Sequence, residues 1–209
     1  MKLSILIPVY NEVRTVVDAL GRVLAVDYSV EMKIVVVEDG STDGTRGKGA
    51  AIRTAARLAT GTHLIICDAG LEYRPEEIPL LLHPVLVGEA EVVYGTRTFG
   101  SHTSYSFWYV MGNKAVTMFA NVVFNSWISD VETCFKLVPL QLYRELDIRS
   151  NGFGMEAEVT GKLLRRGFRP YEVPLSYKAR SREQGKKLTW KDGVQALWIL
   201  LRARFGSRR

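Results

Sequence analysis

The chain has 209 residues, of which 47% are hydrophobic and 24% charged, and its formal net charge is +6. This length suits one domain with a sizeable core, and the composition excludes a disordered or fibrous protein. Two cysteines are too few for a disulfide framework or a cysteine-rich zinc site, and no segment has the apolar length of a membrane span or a signal peptide. We therefore expect a globular protein of a reducing, cytoplasmic setting.

The positive charge lies in the second half of the chain. Residues 1–104 carry 10 Lys and Arg against 13 Asp and Glu, whereas residues 105–209 carry 18 against 9. Such asymmetry predicts an anionic partner, either a phosphate-bearing substrate, an acidic membrane surface or nucleic acid, with a solvated basic face as the alternative. Nucleic acid is disfavoured, because the basic residues cluster beside acids in loops rather than along one exposed face.

The chain opens with a predicted strand–helix–strand unit. Residues 3–9 form the first strand, and Asn11 is placed to cap the helix that follows. The continuous Ile/Val run at 33–37 predicts a parallel strand that is covered on both faces. This strand ends in Glu38 and Asp39, at the edge where open α/β sheets bind ligands. A loop whose Asp and Ser only cap the next helix is the alternative.

Later strands also end in polar side chains. Lys48 lies in a Gly-Lys-Gly turn that opens a helix and resembles an anion-binding turn. The predicted strand at 63–67 ends in Asp68, and the strand at 91–97 ends in Arg97. Because the carboxyl ends of parallel strands share one edge of a sheet, we expect these side chains to lie near one another.

The second half begins with a helix at 107–124 that is apolar on most sides. We expect it to pack into the core, with an apolar partner as the alternative. Asp130 and Glu132 then place carboxylates on alternate positions before a strand-like segment at 134–138. The final helix, at 190–205, has an apolar side and arginines at its end, which is typical both of an interfacial helix and of an ordinary surface helix.

Between these elements the sequence predicts an amphipathic helix at 155–166 and a strand at 171–177. The segment at 178–187 holds five Lys and Arg against a single Glu, and Gly185 interrupts it. We therefore expect a basic loop in front of the final helix.

Five ordered motifs carry a resemblance to a known family. They are Pro8-Val-Tyr-Asn-Glu12, Glu38-Asp-Gly-Ser-Thr-Asp-Gly-Thr45, Asp130-Val-Glu-Thr-Cys-Phe-Lys136, Gly152-Phe-Gly-Met-Glu156 and Glu183-Gln-Gly-Lys-Lys187. Together they resemble the family 2 inverting glycosyltransferases, and within them the polyprenol-phosphate (dolichol-phosphate) hexose synthase branch. The resemblance implies an α/β protein with the nucleotide-diphospho-sugar (GT-A) fold, in which a mostly parallel Rossmann-like sheet is flanked by helices.

The resemblance also implies how the chain is divided. We expect a single glycosyltransferase domain over 1–209, with a nucleotide-sugar-binding half at 1–97 and an acceptor-side half at 98–188. A basic amphipathic C-terminal helix at 189–209 completes it.

Donor-binding residues follow from the same resemblance. Pro8, Tyr10 and Glu12 would line the nucleotide pocket, and Asp39 would contact the base and its ribose. A carboxylate accepts hydrogen bonds from base N–H groups and ribose hydroxyls, whereas it repels phosphate. We add Lys48 to this donor-binding set.

A divalent cation is implied as well. Asp68 matches the first acid of the Asp-x-Asp motif that holds Mg²⁺ or Mn²⁺ against the donor diphosphate, and Glu72 matches a further metal-side position. Gly70 stands where the second Asp is expected, so the metal loses one ligand. Either Glu72 and water compensate, or metal affinity is reduced, or the glycine is an engineered change.

A second departure from the family pattern is a missing segment. Relatives carry a helix and a strand between Thr45 and the turn at Lys48, and this chain has neither. Because a true deletion would remove a core strand, we expect residues to be missing from the sequence as read.

The implied reaction moves a hexose from a nucleotide sugar, of the GDP-mannose or UDP-glucose type, to a polyprenyl phosphate by direct displacement with inversion. A lipid phosphate is already an anion and needs no strong base. The cations that would neutralise and orient the phosphates are Arg97, Lys136, Arg180, Lys186 and Lys187. Asp130 would contact the sugar or the acceptor, and with a hydroxyl acceptor it becomes the natural general base.

We expect this enzyme at the inner, cytoplasmic face of an anionic membrane, as a peripheral protein and without nucleic acid. A glycosyltransferase with a soluble hydroxyl acceptor is one alternative. A nucleotide-sugar-binding protein without turnover is another, which Gly70 favours. A nucleotidyltransferase fits less well, because the first strand lacks the glycine- and arginine-rich phosphate loop of those enzymes.

Overall fold

A computed structural model describes residues 1–9, 12, 15–38, 48–102, 106–152, 154–179 and 189–206. The strands are β1 (Lys2–Val9), β2 (Glu31–Glu38), β3 (His63–Ile66), β4 (Val93–Thr96), β5 (Lys136–Pro139) and β6 (Tyr171–Pro174). The helices are α1 (Val16–Ala25), α2 (Lys48–Leu58), α3 (Ile78–Leu86), α4 (Phe107–Phe124), α5 (Leu140–Glu145), α6 (Gly154–Arg165) and α7 (Trp190–Phe205). A 3-10 turn at Pro75–Glu77 precedes α3.

The strands of the described residues form one sheet in the order β2-β1-β3-β5-β4-β6. β5 is antiparallel to both of its neighbours, and the other pairs are parallel. The prediction of a mostly parallel sheet is therefore confirmed. Alternate residues of β1 face opposite sides of the sheet, so Leu3, Ile5 and Ile7 pack against α1 and α3, while Leu6 packs against α2 and α6.

The strand β2 differs from its prediction. It pairs with β1 in parallel register, as expected, but it forms the edge of the sheet. Val35 is buried, whereas the side chain of Val36 on the opposite face is 45% exposed. The prediction that both faces are covered is wrong, because an uninterrupted Ile/Val run does not reveal whether a helix lies over each face.

Helices α4 and α7 form a third layer on the outside of α6. Their inner faces share a cluster with α6 that includes Ala120, Phe124, Ala157, Ala196 and Leu200. Outside this cluster both helices present large apolar side chains to solvent, namely Phe107, Trp108, Met111, Met118 and Val122 on α4 and Trp190, Val194, Trp198 and Phe205 on α7. The prediction that α4 packs into the core is right for one face only.

Candidate active site

The candidate site lies at the carboxyl edge of the sheet. The parallel strands β1, β3, β4 and β6 end there, and the antiparallel β5 begins there. The N-termini of α2 and α6 face the same edge, because the Lys48 ammonium lies 2.9 Å from an Asp68 oxygen after β3 and 3.0 Å from a Glu156 oxygen on α6. Lys48 thus lies beside the strand-end carboxylate Asp68.

Lys48 is held at the first residue of α2 by a close backbone approach. The Gly49 N–H donates to the Asn151 carbonyl oxygen at 2.8 Å. A Cβ at position 49 would lie 2.0 Å from the Ser150 carbonyl oxygen, so only glycine fits. Gly49 therefore fixes the start of α2 against the chain before α6, and the Lys48 side chain points inward.

From Lys48 toward the protein interior, positive and negative side chains alternate. Glu156, in the first turn of α6, accepts from Lys48 on one carboxylate oxygen and from the Lys136 ammonium on the other, at 2.9 Å. Lys136 is buried and also donates to the carbonyl oxygens of Val131 and Thr133. We conclude that Lys136 holds Glu156 from the interior of the protein. The donors of Lys136 point to Glu156 and to two carbonyl oxygens, and its predicted contact with a phosphate stays a prediction.

The ionisation of Lys48 follows from its neighbours. Burial acts to lower the pKa of the ammonium, but the carboxylates of Asp68 and Glu156 outweigh it, so the pKa of Lys48 lies well above its ordinary value. Lys48 is therefore a permanent cation, with 15% of its side chain exposed at the edge of the sheet.

Asp130 is enclosed by partners. Its two oxygens accept from the Arg97 guanidinium at 2.6 and 2.7 Å, and Asn113 of α4 donates to it at 3.0 Å. Burial alone would raise the pKa of this carboxyl, but Arg97 and Asn113 hold it below its ordinary value. Asp130 is 1% exposed and its carboxylate is fully hydrogen-bonded, so a role as general base would require these contacts to open; that role stays a prediction.

Arg97 has the predicted place at the end of β4 but is likewise engaged. Besides the pair with Asp130, its guanidinium carbon lies 5.1 Å from the centre of the Tyr177 ring. The Tyr177 hydroxyl in turn donates to Glu72 at 3.0 Å. The structure thus joins Arg97, Tyr177 and Glu72 in one chain of contacts across the site.

A second carboxylate beside this cluster was not assigned a role from the sequence. Glu132 is half-buried, and within the described part of the chain its carboxylate makes no hydrogen bond or ion pair. Burial raises the pKa of Glu132, against the charges of Arg97 and Lys136, which lower it. Its place two residues after Asp130 gave the only sequence signal for it.

The described residues do not fit a protein-held divalent cation. Asp68 is paired with the Lys48 ammonium, Glu72 accepts from Tyr177, and Gly70 offers no donor. Among the residues that the structure describes, no group of three possible ligands comes together. The predicted Mg²⁺ or Mn²⁺ site at Asp68 and Glu72 therefore has too few donors here.

The remaining predicted residues divide into two groups. Pro8 lies half-buried near the end of β1, and the Glu12 carboxylate accepts from the Thr15 hydroxyl at 2.8 Å. The others lie outside the described residues: Tyr10, Asp39, Arg180, Lys186 and Lys187. Their predicted roles stay predictions.

Comparison with known proteins identifies the family. The model for "Glycosyl transferase family 2" matches residues 4–46 and 45–146, which is more than half of the chain. The chain belongs to glycosyl transferase family 2. The resemblance that the five motifs carry is thereby confirmed.

Named relatives are similar at low identity. The chain is 26% identical to an undecaprenyl-phosphate mannosyltransferase from Micrococcus luteus over 248 aligned positions, which cover 99% of this chain and 100% of the relative. It is 27% identical to the low-salt glycan biosynthesis hexosyltransferase Agl6 of Haloferax volcanii, with coverage of 95% and 53%. It is 24% identical to glycosyltransferase AglJ of the same organism, with coverage of 83% and 62%.

Solved structures confirm the GT-A fold. Glucosyl-3-phosphoglycerate synthase from Mycobacterium tuberculosis, crystallised with Mn²⁺, UDP and phosphoglyceric acid, superposes with a TM-score of 0.71 at 17% identity, covering 100% of this chain and 80% of that one. The same enzyme with UDP alone gives a TM-score of 0.72 at 19% identity, with coverage of 97% and 79%. At these identities the likeness shows the fold.

The comparisons also bear on the missing segment. The two matches to the family model meet at residues 45 and 46, and the alignment with the Micrococcus relative is longer than the 209 residues of this chain. Relatives therefore carry residues that this chain lacks. The predicted position of the missing segment, between Thr45 and Lys48, agrees with this break, and the expectation that residues are missing from the sequence as read stays a prediction. The exposed edge strand β2 lies in the first matched part.

Proposed function

We propose that this protein transfers a hexose from a nucleotide sugar to a polyprenyl phosphate at a membrane surface, with inversion at the anomeric carbon. The donor would be of the GDP-mannose or UDP-glucose type. Family membership supports the glycosyl transfer, and the name of the full-length Micrococcus relative supports the acceptor. The observation that carries the proposal is the outward apolar surface of α4 and α7, next to the candidate site.

This surface is unusual for a protein that works on soluble substrates. On α7, Trp190, Val194 and Trp198 follow one another at helical spacing and face away from the buried residues Ala196 and Leu200. Lys191 and Arg202 flank this stripe on the same helix. Apolar residues between cations match a helix that lies in the interface of an anionic bilayer.

The apolar surface includes residues of both α4 and α7, which pack on each other. On α4, Asn113 holds Asp130 from the inner side, while Trp108, Met111 and Met118 point outward. One helix thus contacts both the candidate site and the proposed membrane surface. Among the described helices, none is long and apolar enough to cross a bilayer.

The proposed reaction needs little acid–base catalysis from the protein. A phosphate monoester is already an anionic nucleophile, and the residues must chiefly place its oxygen in line with the leaving diphosphate. Lys48 faces the donor side of the edge as a fixed cation. Arg180, Lys186 and Lys187 are proposed to hold the acceptor phosphate, and Asp39 the nucleotide base.

Radiolabelled donors test the proposal. GDP-mannose and UDP-glucose are each incubated with the protein and undecaprenyl phosphate in detergent, and the product is extracted into organic solvent. We expect label from one donor in the organic phase, and its loss when the acceptor is omitted. Label that stays in the aqueous phase with every donor would refute the lipid acceptor.

Vesicle binding tests the surface. Removing α7 would uncover the shared cluster with α6, so a point substitution is the better tool. We expect Trp198→Ala to weaken binding to phosphatidylglycerol vesicles by about tenfold to a hundredfold, because an apolar side chain of this size contributes on the order of 1.5–3 kcal/mol on burial. The matched control is Leu80→Ala, which removes an exposed apolar side chain from α3. Equal binding of wild type and both variants would contradict the assignment.

Glu132 favours a second candidate function, transfer to a hydroxyl acceptor. Such an acceptor needs a base, and a half-buried carboxylate with a raised pKa and no partner in the described chain suits that task better than the enclosed Asp130. Under this alternative, Glu132→Gln abolishes transfer to soluble acceptors. Under the proposed function, the same variant retains transfer to undecaprenyl phosphate.

A further inference from the structure

The charge arrangement around Asp68 differs from what a metal-dependent transferase needs. A divalent cation at the donor diphosphate requires several carboxylate oxygens that are open to it. Here glycine at position 70 leaves Asp68 without a second carboxylate beside it. One oxygen of the Asp68 carboxylate accepts from the Lys48 ammonium at 2.9 Å. A cation thus already lies on the carboxylate that would bind the metal.

The Lys48 ammonium is built into the fold rather than placed there by a flexible surface chain. It is anchored by Glu156 at 3.0 Å, and Glu156 is itself buried and held by Lys136. The backbone next to Lys48 is fixed because a side chain at Gly49 would collide with Ser150. The position of the charge is therefore determined by α2, α6 and β5 together.

The third hydrogen bond of Lys48 goes to a weak acceptor. An ammonium has three N–H donors, and those of Lys48 go to Asp68, to Glu156 and to the Cys134 sulfur at 3.2 Å. A thiol is a weak acceptor, whereas a phosphate oxygen is a strong one. A phosphate oxygen can therefore replace the sulfur without breaking either ion pair.

From these contacts we infer that Lys48 supplies, from within the chain, the positive charge that stabilises the donor diphosphate, so that nucleotide binding does not require a divalent cation. The inference rests on the proposed function, since it assumes a nucleotide-diphosphate donor. It assigns Asp68 a different role, in which the carboxylate positions Lys48 and does not bind a metal.

Titration calorimetry of GDP and UDP measures the effect directly. Each nucleotide is titrated into the full chain once in EDTA and once in MnCl₂. We expect the dissociation constant of the nucleotide that binds to differ by less than about threefold between the two conditions. Nucleotide binding that occurs only with Mn²⁺ would overturn the inference but leave the proposed function intact. Absence of binding by either nucleotide in both conditions would overturn the proposed donor class and the inference with it.

Variants locate the charge. In EDTA, Lys48→Met is expected to weaken binding by about tenfold to a hundredfold, the range for hydrogen bonds to a charged group. Lys162→Met is the matched control, because Lys162 is also half-buried and paired with a glutamate, Glu158, on the far side of α6. Equal affinity of Lys48→Met and wild type in EDTA would remove Lys48 from the diphosphate site.

Two further variants guard against loss of folding and against a hidden metal site. If Lys48→Met does not fold, Lys48→Met/Asp68→Asn is compared with Asp68→Asn; the double variant leaves Glu156 paired with Lys136, and the same loss of affinity is expected. Gly70→Asp restores a carboxylate, so Mn²⁺ should tighten nucleotide binding by this variant. Binding of Mn²⁺ to the variant should also reduce the electron paramagnetic resonance signal of the free ion. A wild type that binds Mn²⁺ as tightly as Gly70→Asp would contradict the inference.

Discussion

Two carboxylate–cation clusters lie at the same edge of the sheet, and they differ in how open they are. Asp130, with Arg97 and Asn113, is 1% exposed and accepts three hydrogen bonds from these side chains. Asp68, with Lys48, keeps 29% of its side chain exposed. The closed cluster fixes α4 to the end of β4, whereas the open cluster presents a cation to whatever binds the edge. Two carboxylates at one edge of a sheet can thus differ in solvent exposure, and their partners decide which one is enclosed.

Breaking the closed cluster should have the largest effect. Asp130→Asn leaves the Arg97 guanidinium without its counter-charge in a nearly closed site, and losing one partner of a buried pair costs about 3–5 kcal/mol. Urea unfolding followed by circular dichroism measures the difference from wild type. A loss under about 1 kcal/mol would mean that Asp130 is less enclosed than the structure shows.

Acid should erase that difference. The pKa of Asp130 is lowered in the folded state, so its stabilisation is complete above the unfolded pKa of about 3.9 and disappears as pH falls through the lower folded value. The gap between wild type and Asp130→Asn should therefore be constant at neutral pH and shrink below about pH 4. A gap that shrinks already between pH 7 and 5 would assign the effect to another group.

Breaking the open cluster should cost much less stability. In Asp68→Asn, Lys48 keeps its ion pair with Glu156, and the lost pair is partly exposed to solvent. We expect a decrease in the unfolding free energy of about 1 kcal/mol or less, measured in the same urea series. A decrease as large as that of Asp130→Asn would remove the distinction between the two clusters.

The smallest expected effect concerns Glu132, which lies beside the closed cluster without joining it. Because its pKa is raised in the folded state, folding favours the protonated form, and the ionised form at neutral pH lowers stability. Glu132→Gln should therefore raise the melting temperature slightly at pH 7 and have no such effect at pH 4. Destabilisation at pH 7 would indicate a hydrogen-bonding role for this carboxylate.

Sequence patterns predicted the elements well, because each depends on local spacing. The bounds of α4 and α7 match their predictions, and the strand-end positions of Asp68 and Arg97 follow from where apolar runs stop. The two clusters were not predictable, since Asp130 meets Arg97 and Lys48 meets Glu156 across long stretches of chain. Both carboxylates look alike in a sequence, and only the fold shows which one is enclosed.

Solvent exposure was the other feature that the sequence did not predict. An apolar helix such as α4 packs one face on the protein, and its residue pattern does not say whether anything covers the other. The same holds for β2, which forms the edge of the sheet. The order of the strands in the sheet and the helices packed over it set these exposures, and both arise only in the folded protein.

The outer faces of α4 and α7 have an optical consequence. The chain contains four tryptophans, and all of them, Trp108, Trp127, Trp190 and Trp198, are between 66% and 80% exposed on or next to these two helices. Indole emission of the native protein should therefore be red-shifted already, and unfolding should change its wavelength little. A blue shift should instead report burial of this surface in a lipid or detergent phase, so the protein carries its own fluorescent probe for the proposed membrane surface.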